Sequence, residues 1–349
     1  MNAPLKSVNS AATPLLQVKD LRIEFPAGRH ETLKAVDGMS FDVHAGETFG
    51  IIGESGSGKT TLGRALVSLL QPSAGSVLYH GIDPRTLSGS DFRRHRRDYQ
   101  IIFQDPNAAL NPRMAILDSV MEPLETSGSR DKAANRRQAL DALARVGLPP
   151  EIGNRFPHQL SGGQKQRANI ARVLTVRPRM IVCDEVVAAL DVSIRGDVLN
   201  LFAELQREFG LTYVFITHDL SVVSHISDRV GVAYLGRFME LGPAAAITEK
   251  PLHPYTEALL SAEPIPLPST MRTDRQIVLQ GEIPSPIAPP SGCRFRTRCR
   301  YAQARCAEEV PQWRELNPSH WVACHFATPD GPPRHQAGAE SQAAKAVST

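Results

Sequence analysis

Two short stretches of this 349-residue chain carry residue types that can do chemistry. At 53–60 the sequence reads GESGSGKT, which fits the phosphate-binding pattern GxxxxGK[ST]. Glycines at that spacing let the backbone curl until successive N–H groups face one anion, and a helix starting there adds its positive end. Gly53, Glu54, Ser55, Gly56, Ser57 and Gly58 would form the cradle, with Thr61 just inside the helix. Lys59 would neutralise the outer phosphates of a nucleoside triphosphate, and the Thr60 hydroxyl would ligate Mg²⁺. The second stretch, IVCDEVVAALD at 181–191, runs from apolar residues straight into two adjacent carboxylates, Asp184 and Glu185. A buried strand ending in like charges needs a cation or a proton donor beside it. If that strand end lies next to the glycine loop, Asp184 holds hydrated Mg²⁺ and Glu185 stands where a water attacks the terminal phosphorus. Nucleotide hydrolysis follows.

Elements must exist to bring these residues together. Around 16–45, LQVKDLRIEF and LKAVDGMSFDV alternate apolar and polar residues, the pattern of half-exposed antiparallel strands. Thr48–Ile52 reads as a short buried strand feeding the loop. After the loop, Leu62, Ala65, Leu66, Leu69 and Leu70 predict one apolar helix face. Residues 106–175 have helix-type spacing, and two further strands, RMIVCDE and LTYVFITHD, each end in polar residues. Strands separated by helices imply a mainly parallel sheet with its chemistry at the strands' C-terminal ends.

Composition narrows the class. With 42% hydrophobic and 21% charged residues the chain is globular over most of its length, and a net charge of +3 gives no argument for nucleic acid. The run RRHRR at 93–97 reads as a solvated face. No apolar run reaches the roughly 18–20 residues that span a bilayer, and the N-terminus lacks the apolar core of a signal peptide. A chain on the cytoplasmic side is expected, reaching the membrane through a partner. Residues 1–14 and 329–349 are expected to be disordered, and proline-rich connectors past 263 mark a boundary.

Four further stretches complete a pattern: LSGGQKQR at 160–167, Gln104 in IIFQDPNAALNPR, Asp191 closing VVAALD, and His218 in FITHD. In this order, after the loop, they resemble the ATP-binding cassette ATPases over about residues 15–263. The resemblance implies an α/β P-loop cassette with a mainly parallel core, an antiparallel β subdomain and a helical subdomain at about 106–175. It implies that Ser161, Gly162, Gly163 and Gln164 contact the γ-phosphate on an opposing subunit, so that two cassettes sandwich two nucleotides head to tail. Ser161 is also suited to cap the helix that follows it. By resemblance Glu185 polarises the attacking water, His218 binds the γ-phosphate, Gln104 reaches Mg²⁺, Asp191 lies in the loop crossing between subunits, and Phe25 stacks on adenine, a plain core aromatic being the alternative. The chain departs from the common DEPVSALD at Val186 and Ala188, which leaves the carboxylates in place but removes a hydroxyl from the crossing loop. Lys165 replaces a frequent arginine and offers no planar fork of donors.

The tail resolves the family further. HPYTEALLSAEPIP at 253–266, GEIPSPIAPPSGCRFRTRCRYAQARC at 281–306 and HWVACH at 320–325 resemble the C-terminal extension of dipeptide and oligopeptide importer ATPases, placed here at 264–328. The implied partners are two permease subunits, a second ATPase subunit (a different chain or a second copy) and, indirectly, an extracytoplasmic solute-binding protein. Nickel and opine importers share the subgroup, and a soluble cassette ATPase is the remaining alternative. Cys293, Cys299, Cys306 and Cys324 are separated by five, six and seventeen residues, unlike a CxxC zinc ribbon. By resemblance they hold a [4Fe–4S] cluster; four buried thiols are the other reading, and a redox sensor gating the ATPase is compatible with the first. Arg294, Arg296, Arg298 and Arg300 interleave the first cysteines and are expected to favour thiolates. Cys183 reads as a small buried hydrophobe.

Overall fold

Alternation in the first fifty residues and unbroken apolar runs later translate into two sheets of different exposure. The computed structural model describes residues 13–28, 31–188, 190–262 and 276–333. Most of both tails, 1–12 and 334–349, and the connector 263–275 lie outside the described residues. The strands are β1 (Leu16–Pro26), β2 (Thr32–Val43), β3 (Thr48–Ile52), β4 (Ala74–Tyr79), β5 (Tyr99–Ile102), β6 (Met180–Asp184), β7 (Thr212–Thr217), β8 (Arg229–Tyr234), β9 (Arg237–Pro243), β10 (Arg314–Asn317) and β11 (His320–Val322). β2, β1 and β4 form an antiparallel sheet in that order. The main sheet runs β10-β11-β9-β8-β3-β7-β6-β5.

β3, β6 and β7 are buried at every position, as parallel strands covered on both faces must be. Their registers place four strand ends on one edge: Ile52 pairs with Thr217, Asp184 with Ile216, and Ile102 with Cys183. Whatever follows β3, β7, β6 and β5 therefore emerges on the same side of the sheet, in that spatial order. Sequence-distant loops become neighbours there.

Residues 106–175 run through the helices Pro106–Ala109, Ile116–Thr126, Lys132–Arg145 and Gly162–Leu174. Three of the four are started by capping side chains, Asp105, Asp131 and Ser161. Their inner faces, including Ile116, Val120, Leu143, Ala168 and Ile170, are fully buried in one cluster. The helix after the loop is shorter than its apolar face predicts. It spans Lys59–Leu66, because Ser68 at φ 57° leaves the right-handed region. Leu69 is consequently exposed, and Leu70 packs on the core from outside the helix. In the basic run, Arg93, Arg94 and Arg97 are exposed, while His95 packs edge-on against Tyr79 and Tyr99.

The chain beyond the proline-rich connector is built into the main sheet rather than hung from it. Trp321 and Val322 of β11 pair with Leu241 and Glu240 of β9. Glu240, with 0% exposure, accepts from the Leu252 and His253 backbone N–H groups at 2.7 and 2.9 Å and faces His320 Nε2 at 2.7 Å. Residues 329–333, expected in the disordered tail, are ordered: Thr328 and Gly331 exchange backbone hydrogen bonds of 3.0 and 3.1 Å. That exchange closes a tight turn beside buried Ala327.

Candidate functional site

The glycine loop leaves the end of β3 and is shaped by two positions where no side chain fits. A Cβ on Gly53 would stand 2.1 Å from the Ala233 carbonyl oxygen, and one on Gly58 would stand 2.0 Å from that of Ala35; both have positive φ, 154° and 94°. Lys59 begins the helix and folds back, donating to the Gly53 and Glu54 carbonyls at 2.7 and 2.9 Å and to Ser57 Oγ at 3.3 Å. Lys59 is 5% exposed, and burial lowers its pKa against the raising influence of Glu185, Asp184 and Glu54.

At the end of β6, one strand beyond β7, Asp184 Oδ1 accepts from Thr60 Oγ1 at 3.1 Å. Asp184 is 2% exposed; burial and the adjacent Glu185 push its carboxyl up, while the Thr60 hydroxyl, Arg64 and Lys59 pull it down. A buried carboxyl so placed favours a cation, and a hydroxyl with a carboxylate oxygen is the hard-oxygen pair suited to Mg²⁺. The donor chemistry fits that ion.

Glu185 sits at φ 48°, in the left-handed region that costs a non-glycine residue of order 1–3 kcal/mol. Its N–H is anchored to the Ile216 carbonyl at 2.9 Å. The turn aims the carboxylate along the sheet edge between two flanking strand ends. Gln104 Nε2, beyond β5, donates to Oε2 at 2.7 Å, and His218 Nδ1, beyond β7, lies 3.3 Å from Oε1. Each oxygen keeps a lone pair for a third partner. Thus Lys59, Thr60, Gln104, Asp184, Glu185 and His218 converge through the strand order.

The remaining candidates stand apart. Ser161 and Gln164 close a capping box, Gln164 N to Ser161 Oγ at 3.3 Å and Ser161 N to Gln164 Oε1 at 3.0 Å. Among the described residues no hydrogen bond joins Ser161, Gly162, Gly163 or Gln164 to the loop 53–61. Asp191 caps the helix Val192–Phe209 by position, without a side-chain bond. Phe25 is 37% exposed near the end of β1. Lys165 reaches Asn107 Oδ1 at 2.7 Å, and Val186 is core.

All four C-terminal cysteines line one cavity, with His253, Phe295 and Phe326, but its volume is only about 20 Å³. Four thiols around one small cavity are, in kind, the donor set of an iron–sulfur centre. Among the described residues no three His, Cys, Asp or Glu side chains are placed to hold a metal ion. As placed, the four thiols line one cavity without forming a ligand group. Burial pushes Cys293 up to about 11 and Cys299 up to about 12, and raises Cys324. The expected help from the interleaved arginines fails: Arg294 binds Asp37 and the Leu235 carbonyl, Arg296 the Ser291 carbonyl, Arg298 Glu54, and Arg300 Glu257. Each guanidinium has found an oxygen away from the thiols.

Two contacts had no signature in the sequence. The Tyr255 hydroxyl accepts from the Glu54 backbone N–H at 2.9 Å, and Arg298 forks onto the Glu54 carboxylate. Neither belongs to a local pattern, since the partners lie 201 and 244 positions apart.

Known proteins are similar to this chain in sequence and in fold. A family model described as ABC transporter matches residues 36–188, and with relatives 48% identical along nearly their whole length the chain belongs to the ABC transporter ATPases. Within them its tail is of one kind: the model for the oligopeptide/dipeptide transporter C-terminal region matches residues 239–306. Similar to it are the oligopeptide transport ATP-binding proteins AppF of Bacillus subtilis and OppF of Haemophilus influenzae, each 48% identical over 89% of this chain and 97% and 96% of theirs. Among solved structures, the ATP-binding cassette MJ0796, a dimer bound to ADP and Pi after hydrolysis, is 30% identical with a TM-score of 0.59 over 66% of this chain and 98% of its own. CbiO1 of Clostridium perfringens, part of the transporter complex cbiONQ, is 29% identical with a TM-score of 0.60 over 67% and 90%. Among the described residues no helix is long and apolar enough to cross a membrane.

Proposed function

We propose that this chain is one of two ATPase subunits that close head to tail on ATP and power import of di- and oligopeptides. It works peripherally at the cytoplasmic face of the plasma membrane, beneath two permease subunits fed by an extracytoplasmic binding protein. The observation that carries the reading is the gathering of Lys59, Thr60, Asp184, Glu185, Gln104 and His218 on one sheet edge. Among the described residues no hydrogen bond joins the capped helix at Ser161 to that edge, which supports a site completed by a second subunit.

In this reading the N–H groups of 53–61 and Lys59 receive the phosphates, Thr60 and Asp184 hold Mg²⁺, and bound Mg²⁺ neutralises charge developing on the phosphoryl oxygens. Glu185 takes the proton of the attacking water, flanked by Gln104 and His218, of which Gln104 would reach Mg²⁺ and His218 the γ-phosphate when nucleotide is bound. Ser161–Gln164 present helix N–H groups to the nucleotide of the opposing subunit, Asp191 lies at the crossing between subunits, and Phe25 faces adenine. Closure draws on the difference in affinity between open and closed states.

The test is uptake of a labelled tripeptide in a strain lacking its own peptide importers, given this chain with its neighbouring permease, ATPase and binding-protein genes. Uptake is expected with the wild type and not with Lys59→Ala. Equal uptake by both, or uptake of nickel or an opine in place of peptide, overturns the reading. For the cysteine module we propose an iron–sulfur centre, supported by the convergence of four thiols on one cavity and lacking a ready-made ligand group. Anaerobically purified chain is expected to contain iron and labile sulfide with broad visible absorbance; a colourless, iron-free sample leaves four buried thiols.

A further inference from the structure

Residue 54 of the phosphate loop is held at three points. Its carbonyl accepts from Lys59 Nζ at 2.9 Å, a bond internal to the loop. Its N–H donates to the Tyr255 hydroxyl at 2.9 Å, and its carboxylate receives Arg298 Nη1 at 2.6 Å and Nη2 at 3.0 Å. Tyr255 comes from the helix Pro254–Ser261, and Arg298 from the cysteine-rich turn that opens with Cys293. Two of the three holds on the loop are therefore supplied by chain far beyond its own strand and helix.

The two holds form one rigid unit. Tyr255 is 0% exposed, and its ring packs against Tyr234 and Phe295 at centroid distances of 4.8 and 5.3 Å. The Arg298 guanidinium lies 6.0 Å from the Tyr234 centroid with its side chain 7% exposed. A planar fork on a part-buried carboxylate fixes direction as well as distance, which a lysine ammonium does not do. The loop it grips is rich in glycine and free to take many conformations when not held.

We propose that Arg298 and Tyr255 are positioning residues for nucleotide binding: by fixing Glu54 they keep the backbone of 53–60 in the shape that receives phosphates. Neither touches the nucleotide. The inference rests on reading 53–60 as the ATP loop, and it makes the C-terminal module a part of the nucleotide site. Loss of either hold loosens the loop before ATP arrives, so the penalty falls on affinity and not on the chemical step.

The experiment is calorimetry of Mg·ATP with the full chain, together with ATP turnover in the assembled transporter. Arg298→Gln is expected to weaken ATP binding about tenfold, and Arg298→Lys nearly as much because the fork is lost. Tyr255→Phe removes only the hydroxyl and is expected to cost about threefold to fivefold. In all three, KM for ATP rises while kcat at saturation stays within about twofold of wild type. Arg300→Gln, which breaks an exposed pair with Glu257 in the same module, is expected to bind ATP as wild type does. If Arg298→Gln does not fold, Tyr255→Phe decides. Wild-type affinity in Tyr255→Phe and in every folded Arg298 variant overturns the proposal, as does a fall in kcat without a rise in KM. Lys59→Ala separates the two readings: if it binds ATP as wild type does, the loop assignment itself fails.

Discussion

Glu185→Gln is expected to lower ATP turnover by about 10²–10³-fold or more while leaving Mg·ATP affinity within about threefold of wild type. The side chain is isosteric, so the positive-φ turn and the β6 strand end have no steric reason to move. What changes is proton affinity. A carboxylate oxygen held by one hydrogen bond from Gln104 or His218 still accepts a proton from water, whereas a neutral amide does not. Phosphates, Lys59, Thr60 and Asp184 are untouched, so ATP is expected to accumulate on the protein unhydrolysed. The measurement pairs steady-state phosphate release in the assembled transporter with calorimetric affinity. Turnover at the wild-type rate would remove Glu185 from the role of base. A large loss of affinity would instead make it a structural brace for the sheet edge.

The parts of this site legible in the sequence are those whose physics is local. A glycine loop must be contiguous, a cap must precede its helix, and a strand ending in Asp184 and Glu185 announces itself by the abrupt change from apolar to acidic. Parallel pairing then followed from buried runs in β3, β6 and β7, which puts the strand ends that precede Gln104, Glu185 and His218 on one edge. Three things were not legible. The helix after the loop stops at Leu66 because one residue, Ser68, takes a left-handed turn, which the spacing of Leu69 and Leu70 does not encode. Arginines alternating with residues near Cys293 suggested a shared environment, yet that segment is a succession of turns, and each guanidinium leaves for a different oxygen. The hold on Glu54 joins residues whose proximity is created only after β9, β11 and the 252–262 segment have assembled.

That assembly depends on one buried carboxylate, and Glu240→Ala is expected to be among the most damaging single substitutions outside the nucleotide site. Removing the side chain leaves the Leu252 and His253 N–H groups and His320 Nε2 without their partner in a region where water does not reach. Three buried groups left unpaired cost about 3–5 kcal/mol together, or roughly 5–15 °C in Tm for a unit of this size. Glu240→Gln keeps one acceptor oxygen but turns an NH₂ toward other donors, and about 1–3 kcal/mol is expected. The damage has a direction. His253, which burial pushes down to about 3 and so keeps neutral, accepts from Tyr255 N at 3.0 Å and starts the helix that carries the Tyr255 hydroxyl to Glu54. Losing Glu240 therefore frees His253, then Tyr255, then the phosphate loop, and ATP affinity is expected to fall along with stability. Thermal unfolding with hydrogen exchange at 252–262 and 314–322 tests this. Exchange confined to 314–322, with ATP affinity intact, would cut the chain of contacts at His253; a Tm within about 2 °C of wild type would show that Glu240 is dispensable to the sheet.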